Sequence, residues 1–222
     1  MLSSDKNMNE PTTQSSPPER PHQNPVPKPK TNRLKETLST LGIIILAPIV
    51  ALFLTAFVFQ SYQVDGPSME TTLQNRDRLI VTKTGKTWAK ITGDSYIPKR
   101  YDIVVFNHTG EYGGNQFAAE KQLIKRVIGL PGDRVVVKSG VVTVFNNEHP
   151  DGFLIDREGP EKNVIGNTPG NIDETIKPGD IYVMGDNREN SLDSRSFGAI
   201  RSTDLVGKLS LRIYPFEKVD KF

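Results

Sequence analysis

The sequence predicts a mainly β fold: an antiparallel, barrel-like β-sheet domain on a single N-terminal transmembrane helix. Three observations predict it. Residues 41–59, LGIIILAPIVALFLTAFVF, contain no charged side chain. Beyond residue 63 the apolar residues come in short β-branched runs separated by Gly, Pro, Asn and Asp, the punctuation of strands and turns. No long helical period interrupts those runs.

Taken in order, residues 1–36 begin MLSSDKNMNEPTTQSSPPERPHQNPVPKPK, rich in proline and polar residues and almost without anything to bury. Such a composition cannot offset the entropy of ordering, so a disordered tail is expected. A membrane anchor is expected over residues 37–62. At 1.5 Å per residue the 19 uncharged positions reach about 28 Å, close to the thickness of a hydrocarbon core. A cleavable secretory signal is the competing reading. Against it, the apolar run is longer than a signal's apolar core, about 40 residues precede it, and no A-x-A site follows. Pro48 in mid-span is tolerated in a membrane helix with a kink. Lys28, Lys30, Arg33 and Lys35 precede the span, and Asp65 and Glu70 follow it. The positive-inside rule then puts the tail in the cytoplasm and residues 63–222 outside.

In the outer region, 78-RLIVTK-83, 102-DIVVFN-107, 180-DIYVMGD-186 and 205-LVGKLSLRIY-214 read as strands. The run 133–147 alternates on both sides of Ser139-Gly140 and reads as a hairpin. Residues 149–180 are poor in strand pattern, and a loop-rich insert or small subdomain is expected there.

Bulk composition narrows the chemistry. The net charge of +2, with scattered Lys and Arg, gives no nucleic-acid surface. No cysteine is present, so neither a disulfide nor thiol chemistry is available. The three histidines, His22, His108 and His149, are far apart, and no metal or cofactor is expected. The segment 184–198 has the polar density of a calcium loop. Arg188 nevertheless stands where such a loop needs Asp or Asn, and its glycine is missing.

Ser68 lies in 66-GPSMETTL-73, a few residues after the apolar span. A serine is a weak nucleophile until a neighbour takes its proton. His108 and His149 sit in polar, turn-like contexts, which leaves Lys125 as the better partner. It stands among Leu123, Ile124, Val127, Ile128 and Leu130. On a strand, Lys125 and Arg126 must face opposite sides. If Arg126 faces solvent or a carboxylate, Lys125 faces apolar neighbours, and burial lowers its pKa until the neutral amine can act as a base. The residues alone leave this reading open beside that of a lysine that snorkels to water.

The ordered set 66-GPSMETTL-73, 125-KRVIGLPGD-133 and 185-GDNRENSLDSR-195 resembles the bacterial type I signal peptidases (leader peptidases), a family of membrane-anchored Ser-Lys proteases. The segments 78–83 and 99–106 are similar to the family's intervening strands. The resemblance implies an antiparallel β fold, Ser68 as nucleophile and Lys125 as general base. It implies that Met69 lines the floor beside Ser68 and that Ser191 hydrogen-bonds the Lys125 amine. Asp193 and Arg195 are implied to form a supporting salt bridge, and the Ser68 backbone N–H to donate to the oxyanion. The partners implied are secretory preproteins with small residues before the cleavage site, and a lipid bilayer. The implied location is a plasma membrane, or a thylakoid membrane, crossed once with the N-terminus cytoplasmic. The sequence carries no signal for an oligomeric state.

Two departures stand out. Some members carry a serine at the position of Gly66, whose hydroxyl is a second oxyanion donor worth about 2.7–4 kcal/mol. Thr71 replaces a frequent proline. Two other readings are a self-cleaving repressor with the same Ser-Lys pair, and a non-enzymatic membrane-tethered β module that binds exported chains. A repressor would carry a DNA-binding helix-turn-helix, which does not fit residues 1–62. The β module would be favoured by a chain lacking Ser68 or Lys125.

Overall fold

The computed structural model describes residues 33–110, 119–158, 164 and 167–222. Residues 1–32 of the expected tail, and parts of the expected insert, lie outside them. Helix α1 runs Arg33–Phe53 with Pro48 inside it and continues into a π-helical turn, Leu54–Val58. The stretch Ser39–Val58 is long and apolar enough to cross a membrane, and none of it is buried in protein. The helical backbone ends one residue before Phe59, so residues 59–62, expected in the anchor, are already strand.

The remainder is mainly antiparallel β-sheet. Strands β1 (Phe59–Gln63), β2 (Arg78–Thr82), β3 (Ile103–Gly110), β4 (Ala119–Gly129), β9 (Asp180–Met184), β10 (Ile200–Arg201) and β11 (Leu205–Tyr214) form one sheet. Its order is β1-β2-β11-β3-β4-β9-β10, with β12 (Asp220–Lys221) added beside β11. A second sheet, ordered β7-β6-β5-β8, comprises β5 (Arg134–Lys138), β6 (Val141–Phe145), β7 (Phe153–Leu154) and β8 (Ile172–Thr175). The expected hairpin is β5–β6, pairing Lys138 with Val141 across Ser139 and Gly140. Both turn residues have positive φ, 51° and 82°, the conformation of a two-residue hairpin turn. The expected insert is partly sheet, because β7 and β8 flank that hairpin.

Alternation decides what is buried. In β5 and β6, Val135, Val137, Val142 and Val144 point into one cluster, to which Tyr182 and Met184 of β9 also belong. Ile181 and Val183 of the same strand face a second cluster with Val104, Phe106, Val127 and Leu205. Strand β9 is therefore covered on both faces, which is why 181-IYVM-184 reads as an unbroken apolar run instead of an alternating one. Met69 and Leu73, from the loop between β1 and β2, enter a third cluster with Leu79, Ile103 and Leu209.

Among the described residues there are also three short α-helices, α2 (Thr84–Thr92), α3 (Ile155–Glu158) and α4 (Ser194–Phe197), and three single 3-10 turns. Helix α2 carries no clear sequence signal, because 84-TGKTWAKIT-92 makes little more than two turns and contains three threonines and a glycine. Ala89 is its buried residue.

Candidate active site

The loop 64–77 is closed at its base by two backbone bonds, Val64 N to the Asp77 carbonyl and Arg76 N to the Val64 carbonyl, each 2.9 Å. The buried Asp77 carboxylate accepts from Gln74 N at 3.0 Å and lies 3.4 Å from Arg212, whose guanidinium donates to the Thr72 carbonyl at 2.8 Å. With Met69 and Leu73 fully buried, the serine between Pro67 and Met69 rides on a loop nailed into the core. Gly66 takes φ +97°, a backbone conformation that glycine adopts without steric cost. A serine at this position would be strained in that backbone conformation.

Lys125 comes from the middle of β4. The residue is only 3% exposed, and Nζ donates to Ser68 Oγ at 2.8 Å and to the Ile124 carbonyl at 2.9 Å. Burial pulls its pKa down to about 8, against the opposing pull of the Asp193 and Asp186 carboxylates. Near that pH a large share of the amine is neutral, and the same contact can run the other way, with the serine hydroxyl donating to nitrogen. The snorkelling alternative for Lys125 does not describe this geometry.

Arg126 faces the other side of β4, and it does meet a carboxylate. It is 6% exposed and forms a two-pronged pair with Asp186, Nε to Oδ1 at 2.8 Å and Nη2 to Oδ2 at 2.7 Å. Thr72 Oγ1 donates to Asp186 Oδ2 at 2.6 Å, and Arg126 Nη1 donates to the Tyr101 carbonyl at 3.0 Å. This cluster fastens the serine loop, β4 and the segment after β9 to one another. The sequence reading missed it: Asp186 is the second residue of the third motif, sixty residues from Arg126, and only the strand parity of the Lys-Arg pair hinted that a carboxylate was needed.

The third motif packs directly against the serine. Asn187 N donates to the Ser68 carbonyl at 3.1 Å. Asp193, fully buried, pairs with Arg195 at 2.8 Å and accepts from Gly185 N at 3.0 Å. Arg195 also donates to the Arg188 carbonyl at 2.7 Å. Arg188 is itself buried and paired with Asp156 at 2.5 Å, tying this segment to α3. Ser191 is beside the serine loop, yet its buried hydroxyl has no hydrogen-bond partner. The amine it was expected to meet donates to Ser68 and the Ile124 carbonyl instead. His108 and His149 are away from this cluster, their rings lying 4.3 Å from Phe197 and 5.0 Å from Phe153.

Gly185 marks how closely these parts approach. A Cβ there would overlap both the Ser191 hydroxyl and the Ser68 carbonyl. Gly185→Ala is therefore expected to push the serine loop off β9 and lower kcat by about 10²-fold, the penalty for a misplacement of roughly 1 Å. Steady-state kinetics checks this, with circular dichroism to verify that the sheet persists.

The cleft at Ser68 has a volume of about 120 Å³ and is lined by Tyr62, Val64, Leu79, Val105, Ile124 and Lys125 among others. It is mostly apolar, and its volume suits a small side chain.

Residues 35–214 match the family model described as signal peptidase, peptidase S26. The chain is 34% identical over 180 residues to signal peptidase I of Bacillus caldolyticus, covering 78% of this chain and 89% of that protein. It is 34% identical over 197 residues to signal peptidase I P of Bacillus subtilis subsp. natto, covering 87% and 98%. With the probable signal peptidase I-2 of Synechocystis sp. (strain ATCC 27184 / PCC 6803 / Kazusa) the identity is 35% over 195 residues, covering 86% and 80%. The match runs from the apolar helix through the last long strand, with a serine and a buried lysine in hydrogen-bond contact at its centre, and the chain belongs to the signal peptidase, peptidase S26, family.

Proposed function

We propose that this chain is a signal peptidase I, a serine endopeptidase that removes signal peptides from preproteins, and that Ser68 and Lys125 carry out the cleavage. The observation that carries the residue assignment is the 2.8 Å contact between Lys125 Nζ and Ser68 Oγ at a lysine whose burial lowers its pKa to about 8. Neutral Lys125 takes the serine proton as Oγ attacks the scissile carbonyl. The ammonium then returns that proton to the leaving amine, and in the second half-reaction the amine activates water against the acyl-enzyme. The Ser68 backbone N–H stabilises the oxyanion, Met69 forms the floor of the site, and Asp193 with Arg195 holds the segment that contacts the Ser68 carbonyl.

The apolar stretch Ser39–Val58 anchors the enzyme in the plasma membrane. The tail, residues 1–36, is cytoplasmic, and residues 63–222 form the peptidase domain outside. A preprotein arrives with its own apolar segment in the bilayer and its cleavage site at the surface. Ser68, nine residues beyond Phe59, lies within about 30 Å of the span's end, which reduces substrate capture to a search in the membrane plane. The 120 Å³ cleft favours small residues before the bond.

The test is cleavage of a model preprotein by detergent-solubilised enzyme, followed by N-terminal sequencing of the product. The rate depends on neutral Lys125, so kcat/KM should rise with pH through a midpoint near 8. It should be low at pH 6, where the ammonium dominates, and level off above about pH 9. A rate that stayed flat from pH 6 to 10 would remove Lys125 from the base role.

A further inference from the structure

Helix α2 takes no part in the Ser68 cluster, but it is fastened to the end of the apolar helix. Lys83 N donates to the Val58 carbonyl at 2.8 Å, Thr87 Oγ1 to the Phe57 carbonyl at 2.9 Å, and Lys83 Nζ to the Thr55 carbonyl at 3.3 Å. Between the two elements lies a groove of about 660 Å³, with Phe53, Ala56 and Phe57 on one wall and Lys83, Lys86 and Lys90 on the other. Lys83 at the N-cap of α2 and Lys86 and Lys90 within the helix fall at i, i+3 and i+7, on one side of it.

Among the described residues, no carboxylate is paired with any of them. Asp204, whose charge acts on Lys86, is taken by Arg201. Lys86 donates to the carbonyls of Thr203 and Leu205, which leaves one of its three N–H groups for a ligand. Beside the lysines, Trp88 and Ile91 project outward, 68% and 72% exposed. Lysines next to exposed tryptophan and isoleucine on a short helix are what an element lying in a membrane interface requires.

We propose that this groove binds an anionic phospholipid, its phosphate bridging Lys83, Lys86 and Lys90 and an acyl chain lying along Phe53, Ala56 and Phe57. This rests on the anchor reading above, which puts residues 54–58 at the height of the headgroups. Charge complementarity selects the occupant. A zwitterionic headgroup brings its own ammonium towards the lysines, and a signal peptide's apolar segment would leave three cations without an anion. A bound lipid would fix the domain's orientation on the bilayer.

Trp88 is the sole tryptophan of the chain, so its fluorescence reports on this site alone. The full-length protein is reconstituted in phosphatidylcholine vesicles containing brominated phosphatidylglycerol or, at the same mole fraction, brominated phosphatidylcholine. Quenching of Trp88 should be stronger with brominated phosphatidylglycerol. The preference should fall about five-fold for each lysine neutralised, as read in Lys90→Gln and in Lys83→Gln/Lys90→Gln, while cleavage of a soluble peptide is retained. Equal quenching by the two lipids, or a preference unchanged in Lys90→Gln, overturns the proposal. So does Trp88 emission that responds to an added signal peptide and not to phosphatidylglycerol. Retention on vesicles through a carbonate wash without lipid preference overturns this site alone, whereas release by the wash overturns the anchor reading as well.

Discussion

A Lys125→Met enzyme is expected to lose about 10²–10⁴-fold in kcat/KM on a preprotein substrate, the usual contribution of a positioned general base, while keeping its fold. Ser68→Ala should lose more, on the order of 10⁶-fold, and the double variant little beyond that, because residues acting as one unit are not additive. The stability of the variant separates a catalytic role from a structural one. In the folded protein the Lys125 pKa is lowered from 10.5 to about 8, so between those pH values the unfolded chain binds more protons than the native one. Wild-type stability therefore rises with pH from about 8 to 10.5 through this group. Below about pH 8 the buried ammonium burdens the native state. Methionine removes that burden, so urea denaturation at pH 7 should find the variant at least as stable as wild type, without the upward slope above pH 8. A variant both inactive and unfolded would make Lys125 a structural residue.

Asp186→Ala should be the most destabilising single change in the site, by about 3–5 kcal/mol, because it leaves the buried Arg126 charge without its partner. Thr72 loses its acceptor at the same time, so the serine loop loosens along with the sheet. A smaller effect on Lys125 should accompany this. The Asp186 carboxylate raises the amine's pKa, and its removal should carry the acid limb of the pH–rate profile to lower pH. Urea midpoints give the first effect and kcat/KM against pH gives the second. Replacing both partners, as Arg126→Met/Asp186→Leu, should recover much of the stability. A single variant within about 1 kcal/mol of wild type would show that the pair does not hold the site together.

The strands were legible where one face is buried, as in 78-RLIVT-82 and the hairpin around Ser139-Gly140, since alternation is a local signal. The apolar span was legible from length alone. Long-range pairings were not. Nothing in 172-IDET-175 announces that it lies beside β5, and the outward-facing Trp88 gives 84-TGKTWAKIT-92 no core-facing stripe. At the site, Ser68 and Lys125 were found through chemistry and motif order. Arg126 stayed hidden because an arginine after a lysine reads as a solvated charge until Asp186 is brought across from the far end of β9. Ser191 shows the limit of carrying a role over from relatives: a motif fixes the neighbourhood of a hydroxyl but not its rotamer.

The serine and the lysine sit 57 residues apart, and the turn that grips the Ser68 carbonyl arrives only with Asn187. A polypeptide still emerging from a ribosome or translocase thus lacks the proposed serine–lysine contact until residue 125 has been made, and this grip on the serine loop until residue 187 has been made. The proposed reactive centre is therefore joined from pieces of the chain made at well-separated times, and no one of them carries it alone.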